Sequence, residues 1–272
     1  MIDFLHTFSP DPIFFSAGPV HIYWYGFLVV LGIVVGTFIC LRLAKYYGLE
    51  EDTILDLQFF LILAGLVGAR IYDVFLEWPY YFGRPLDIFK IWQGGLAIHG
   101  AIIAGLLTSF LFARKHHLDF WLLAAVIAPG LAAAQAIGRW GNYFNQELFG
   151  QPTGRPWGIP IDLAKRPFDL VTTEYFHPAF LYESAGNLVI FLLLAAAHYL
   201  IIKKNRCGGL VFPGVATAYL IMYSALRYAL EFIRIDSTPV VLGLRFPQLA
   251  SLFTIAAAAA FLAFRFYWIR RS

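Results

Sequence analysis

Three groups of polar residues interrupt an otherwise apolar chain, and each is of a type that handles an anion or a proton. The run 138–150 (GRWGNYFNQELFG) sets Arg139, Asn142, Asn145 and Glu147 directly after a long apolar segment. A second group, 227–234 (RYALEFIR), holds Arg227, Glu231 and Arg234 at spacings of four and seven, which puts them on nearly one helical face. His99 stands alone in the stretch GGLAIHG of residues 94–100. A guanidinium offers a planar fork of donors suited to phosphate oxygens, and it stays charged even when partly buried. Glu147 and Glu231 are of the right type to hold such arginines, and an imidazole titrates near neutral pH and so can accept a proton. The chemistry these types suggest is binding of an anionic headgroup together with a proton transfer. Charged groups at membrane depth are costly and tend to mark function.

The spacings alone leave simpler readings open. Arg227 and Glu231 equally form an internal ion pair at a helix end. His99 beside glycines also fits a core histidine bonded to backbone, and Asn142 and Asn145 fit turn or helix-end residues. His177-Pro178 fits a helix start, Arg70 and Asp73 a local pair, and His116-His117 beside Lys115 a solvated loop with no metal role.

The elements that must position these residues are membrane helices. Of 272 residues, 60% are hydrophobic and 14% charged, against about 25% charged in soluble domains. The mean hydropathy is +0.69, and a net charge of +3 argues against nucleic acid as a partner. Crossing a hydrocarbon core takes about 20 helical residues. Seven stretches suffice, near residues 22–43, 54–76, 96–113, 120–137, 178–202, 210–232 and 247–267. The expected fold is therefore all-α and polytopic, with seven transmembrane helices in a single integral membrane domain covering residues 1–272. Trp24, Trp78, Tyr80, Tyr81, Trp92, Trp121, Trp157 and Trp268 cluster at stretch ends, as an interfacial belt does.

Short connections carry Arg42 and Lys45, Arg114 and Lys115, Lys203, Lys204 and Arg206, and Arg270 and Arg271. The positive-inside rule makes that side cytoplasmic, with the N-terminus outside and the C-terminus inside. One outer connection is long, at about 138–177, and rich in proline, so it is expected to lack continuous helix and to serve the site. The first twenty residues lack Lys and Arg, so they read as a retained outer arm rather than a secretory signal. Cys40 and Cys207 lie in unlike settings and read as unpaired structural residues. Gly32-xxx-Gly36 and Ala64-xxx-Gly68 read as helix packing.

In order and spacing these motifs resemble the bacterial prolipoprotein diacylglyceryl transferases. That family shows GRxGNFxNxExxG, an HG pair opening the third helix, HPxxLYE and RFxxEFxR. They appear here as residues 138–150, His99-Gly100, 177–183 and 227–234, with a WYG at Trp24-Tyr25-Gly26. Departures are Gln146 where Gly is common, Gln151 where Arg is frequent, Ala101 in place of a second Gly, and Tyr228 in place of Phe.

The resemblance implies transfer of a diacylglyceryl group from phosphatidylglycerol to the lipobox cysteine of prolipoprotein signal peptides. Glycerol 1-phosphate would leave, in the bacterial inner membrane, with the active site toward the outer face and no cofactor or metal. It implies His99, Arg139 and Arg227 as catalytic residues. It implies Tyr25, Arg139, Asn142, Asn145, Glu147, Gly150, Arg227, Glu231 and Arg234 as substrate-binding residues. A transporter, or a non-catalytic receptor for anionic lipid, is the alternative for paired membrane charges. Against transport, the polar groups sit at outer ends and no inverted repeat is apparent.

Overall fold

A computed structural model describes residues 2–205, 208–269 and 271. Arg206, Cys207 and Arg270, used above for loop charge and for the cysteine reading, lie outside the described residues, as do Met1 and Ser272. The chain opens with helix α1 (Ile2–Thr7) and a hairpin of β1 (Ile13–Ala17) and β2 (Val20–Tyr23). Long helices follow: α2 (Trp24–Tyr46), α3 (Glu51–Leu76), then short α4 (Trp78–Phe82) and two 3-10 turns, α5 (Ile98–Lys115) and α6 (Phe120–Asn145). After an irregular connection holding β3 (Ile159–Pro160) and β4 (Tyr175–Phe176) come α7 (Ala179–Lys203) and α8 (Val211–Leu230). The hairpin β5 (Val240–Val241) and β6 (Leu244–Arg245) then leads into α9 (Phe246–Ile269). The chain forms two compact units, one of Met1–Ile39 with Ile127–Ser272 and one of Cys40–Val126.

Among the described residues six helices are long and apolar enough to cross a membrane: α2, α3, α5, α6, α7 and α9. The seventh expected stretch forms α8 but is not among them. Its Thr217, Tyr219, Tyr223, Ser224 and Arg227 dilute its apolar character, and Thr217 and Ser224 are buried.

In the first unit α2 lies against α6 through small residues. A Cβ on Gly32 would meet the Ala134 carbonyl at 3.0 Å, and one on Gly36 the Gly130 carbonyl at 2.9 Å. In the second unit α3 and α5 approach in the same way, a Cβ on Gly68 meeting the Gly100 carbonyl at 2.6 Å. The glycine following His99 is thus explained by backbone contact between helices. Gly32 and Gly36, and Gly68 of the Ala64-xxx-Gly68 pair, act in packing, as their spacing suggests. Cys40 is buried and free, with Gln58 Nε2 at 3.7 Å from its sulfur.

The fourth apolar stretch was expected to end at residue 137 and the outer connection to begin at 138. The helix instead runs on to Asn145, carrying Arg139 and Asn142 in its last two turns. Its glycines do not break it, because Gly141 serves a close approach: a Cβ there would lie 2.7 Å from Tyr25 Cδ2. The helix ends at Gln146, whose φ is +50. This left-handed conformation is the usual seat of a C-terminal glycine and costs an ordinary side chain about 1–2 kcal/mol. The buried side chain of Gln146 offsets that cost with two bonds, donating to Ser9 Oγ at 3.0 Å and accepting from the Asp162 amide at 2.8 Å.

These bonds tie the N-terminal arm to the outer connection. His6 stacks on Tyr175 with ring centroids 4.1 Å apart, and Ser9 donates to Asp162. Beneath them Leu5, Tyr143, Phe149, Ile159, Ile161, Phe176 and Phe180 form one buried cluster. The connection is therefore packed despite its prolines, which stop helix but not a two-strand pairing with a hydrophobic underside.

Gly36→Leu is expected to lower thermal stability by about 1–3 kcal/mol, the usual cost of overpacking. Gly65→Ala, where an added Cβ meets nothing within 4 Å, is expected to hold or raise it by about 0.5–1 kcal/mol. Thermal unfolding of both variants in detergent, followed by intrinsic fluorescence, checks the pair of signs.

Candidate active site

The first unit assembles Arg139, Arg227, Glu231 and Arg234 into one alternating chain of charges. Arg139, near the end of α6, pairs with Glu183 on α7 at 2.8 Å. Glu183 also faces Arg234, after α8, at 3.9 Å. Arg234 pairs with Asp236 at 2.7 Å, and Asp236 faces Arg245, at the end of β6, at 4.0 Å. Arg245 reaches Glu231 at 3.1 Å, and Glu231 closes on Arg227, one turn back on α8, at 2.7 Å. Four arginines and three carboxylates alternate, which leaves one positive charge over.

Every interior member of this chain has two partners of opposite sign, while among the described residues the end members Arg139 and Arg227 have one carboxylate each. The carboxylates of Glu183 and Glu231 are buried, their side chains 4% and 0% exposed, while those of Arg139 and Arg227 are 25% and 19% exposed. Tyr223, on α8, lies close enough to Glu183, Arg139 and Arg227 to interact with their charges. The ion pairs at Glu231 are close but poorly aligned, and neither oxygen receives a linear hydrogen bond. Arg227 Nη1 is likewise buried without an aligned acceptor. The remainder of the Arg227 guanidinium, on a side chain 19% exposed, has N–H groups left for a further anionic oxygen.

Backbone contacts lock the segments that carry the chain. Arg245 donates to the carbonyls of Glu231, Arg234 and Asp236 and to Thr238 Oγ1, folding residues 231–245 around its guanidinium. Gly150 pairs with Arg234 as an isolated bridge, and its amide donates to the His177 carbonyl at 2.9 Å. A Cβ at residue 150 would lie 2.6 Å from Ile233 Cγ2 and 2.8 Å from His177 Cβ, so only glycine lets the outer connection cross the end of α8 there. Asp236 is pushed up by burial, but the hydrogen bond and charge of Arg234 and the charge of Arg245 outweigh this. Its carboxyl stays below the ordinary range.

A second, smaller group hangs from Arg139. Its Nη1 reaches Asn142 Oδ1 at 3.3 Å, Asn142 donates to Glu147 Oε1 at 2.8 Å, and Asn145 to the same oxygen at 3.3 Å. Tyr25 joins through packing on Gly141 and by sharing with Asn145 a cavity of about 490 Å³ lined also by Ile22, Tyr23 and Phe27. His99 belongs to the second unit, exposed in the first turn of α5, with its ring 5.9 Å from that of Tyr72.

Three members of the charge chain were not assigned a role from sequence: Glu183, Asp236 and Arg245. Glu183 had a signal, since it stands in an apolar helix with no cation within a turn, so its partner had to come from elsewhere. Asp236 and Arg245 lie between α8 and α9, where spacing carries no signal of their pairing. The Arg227–Glu231 ion pair does exist, and it extends into a network rather than standing alone. Arg70 and Asp73 do pair locally, at 3.7 Å. Among the described residues no cluster of His, Cys, Asp and Glu is arranged to hold a metal ion.

Membrane-length helices with arginines gathered at the ends of α6 and α8 define a multi-pass membrane protein. The family model described as prolipoprotein diacylglyceryl transferase matches residues 12–264. Curated relatives named phosphatidylglycerol–prolipoprotein diacylglyceryl transferase include one from Synechocystis sp., 42% identical over 93% of this chain and 88% of its own. Another, from Nostoc sp., is 44% identical over 96% and 90%. One from Synechococcus elongatus is 42% identical over 97% and 90%. The chain belongs to the prolipoprotein diacylglyceryl transferase family.

Beside the site, His177 Nδ1 and Trp157 Nε1 share the Tyr182 hydroxyl at 3.0 and 2.7 Å. Burial first, and the Arg155 charge second, hold the His177 imidazole below its ordinary 6.5. A depressed value means that its contribution to stability is complete above 6.5 and is lost as pH falls through the lower, folded value. The Trp157 emission, obtained as the difference from Trp157→Phe, is expected to stay flat above pH 6.5 and to change on acidification. In His177→Gln that change should vanish.

Proposed function

We propose that this chain transfers the diacylglyceryl group of phosphatidylglycerol to the lipobox cysteine thiol of prolipoproteins, forming a thioether and releasing glycerol 1-phosphate. The observation that carries this reading is the alternating charge chain that ends in two singly paired arginines, in a protein of this family. The cysteine sulfur attacks the glyceryl carbon that bears the phosphate ester. A C–S bond forms as that C–O bond breaks, and the electron pair leaves on the phosphate oxygen. The phosphate thereby passes from about one negative charge to nearly two at neutral pH. Donors already aimed at it bind the transition state better than the ground state.

Arg139 and Arg227 are assigned that stabilising role. Glu231 and Arg234 hold them in register, and Asn142, Asn145, Glu147, Gly150 and Tyr25 complete the substrate site. His99 is assigned the proton of the attacking thiol, because a free thiol with a pKa of about 8.5 is only slightly ionised at neutral pH. Neither metal nor cofactor is needed for such a displacement.

The reading takes residues 1–272 as one integral membrane domain with α8 as a seventh span. Its Arg227 and buried polar residues serve the protein interior rather than lipid. The N-terminus is assigned to the outside, the C-terminus to the cytoplasm of a bacterial inner membrane, and the site to the outer face. Support comes from Lys45, Arg114, Lys115, Lys203 and Lys204 at the C-terminal ends of α2, α5 and α7.

Arg227→Lys keeps the charge but loses the fork, so turnover should fall by at least about tenfold. The assay is glycerol phosphate release by detergent-solubilised protein given phosphatidylglycerol and a lipobox peptide. Full activity in this variant would reduce Arg227–Glu231 to a structural ion pair.

A further inference from the structure

In the second unit one guanidinium holds the whole segment that leads to His99. Arg70, on α3, is 7% exposed. Its Nε donates to the Ile88 carbonyl and its Nη1 to the carbonyls of Gly94 and Gly95, all at 2.8 Å, while Nη2 donates to that of Asp87. Asp73 lies at 3.7 Å and accepts the Tyr81 hydroxyl at 2.8 Å, and the Tyr81 ring lies 5.0 Å from the guanidinium carbon. Of the five N–H groups a guanidinium offers, four go to backbone carbonyls. Arg70 is therefore spent on main chain and has no fork left for a phosphate.

The clamped segment is unusual in its backbone. Gly94 and Gly95 have φ of +93 and +72, and a Cβ on Gly95 would fall 2.6 Å from Asp73 Oδ2 and 2.8 Å from Tyr81 Oη. Immediately beyond, the Ala97 amide donates to the carbonyl of Ala69, the residue before Arg70, at 3.1 Å, and α5 begins at Ile98. The N-cap position is Ala97, with no side-chain cap. Local sequence thus gives this helix no start signal of its own. Its start is set by the turn, and the turn is set by Arg70.

We propose that Arg70 is a positioning residue for His99: by clamping the carbonyls of residues 87–95 it fixes where α5 begins and so where the imidazole is presented. The proposal rests on the assignment of His99 as the group that takes the thiol proton. Lysine cannot reach four carbonyls of this layout from one nitrogen.

The test is a double-mutant cycle on the full-length protein, with abundance and thermal stability recorded for each variant. Arg70→Lys is expected to lower kcat by roughly ten- to a hundredfold, the scale of a displacement of about 1 Å, with KM for phosphatidylglycerol little changed. In a His99→Gln background the same change should cost less than about twofold, because it acts through a group already removed. An equal loss in both backgrounds, or full activity of Arg70→Lys, overturns the proposal. If Arg70→Lys does not accumulate, Gly94→Ala replaces it in the cycle, since it strains the same turn while its Cβ meets nothing within 4 Å. Wild-type turnover of His99→Gln would remove the assignment of His99 itself and this proposal with it, an outcome distinct from equal losses in the two backgrounds.

Discussion

A carboxylate buried in a low-dielectric interior must be paired, and this constraint organises the first unit. Breaking a buried ion pair by removing one partner commonly costs about 3–5 kcal/mol. Glu183 and Glu231 each escape that penalty by facing two arginines. Satisfying both draws four separate pieces of chain to one place: the end of α6, the start of α7, the end of α8 and the segment 231–245. The small-residue contact of α6 with α2, the Gly150 crossing and the fold of residues 231–245 around Arg245 all serve that convergence. An odd number of alternating charges that begins and ends on arginine leaves that chain one positive charge in excess.

That surplus is what an anionic headgroup would use. On the proposed mechanism the phosphate gains charge as the C–O bond breaks, so the end arginines gain interaction energy as the reaction proceeds. Loose arginines would bind the ground state nearly as well and would have to reorganise during the reaction. Arginines already held by buried carboxylates have been oriented by folding. Arg139 and Arg227 stay part-exposed, at 25% and 19%, which leaves them open to a third partner.

Much of this was legible in the sequence, and the remainder failed for identifiable reasons. Helices were readable because apolar runs of bilayer length have few alternatives. Arg139, Asn142 and Glu147 were readable as a group because their contacts are local, and Arg227–Glu231 because four residues make one helical turn. The pairing of Arg139 with Glu183, or of Glu231 with Arg245, joins residues with no common period, so spacing gave no information about them. The end of α6 was misplaced because polar residues were read as loop, whereas here they are a helix end facing other charges. Gln146 is the converse case. It departs from a glycine pattern at a left-handed position, and its tolerance rests on bonds to Ser9 and Asp162 that only the folded arm supplies.

Whether the carboxylates act by orienting the arginines or merely dilute their charge is the central point, and one measurement separates the two. Glu231→Gln removes a negative charge from beside Arg227 and Arg245, so charge counting alone says an anionic lipid should bind more tightly. If orientation governs, the same variant should bind phosphatidylglycerol more weakly, because both arginines lose the partner that holds them. Titration of short-chain phosphatidylglycerol into folded wild type and Glu231→Gln in detergent, read by phosphorus NMR, gives the sign directly. Weaker binding by the variant is the result expected here. Equal or tighter binding would contradict the account.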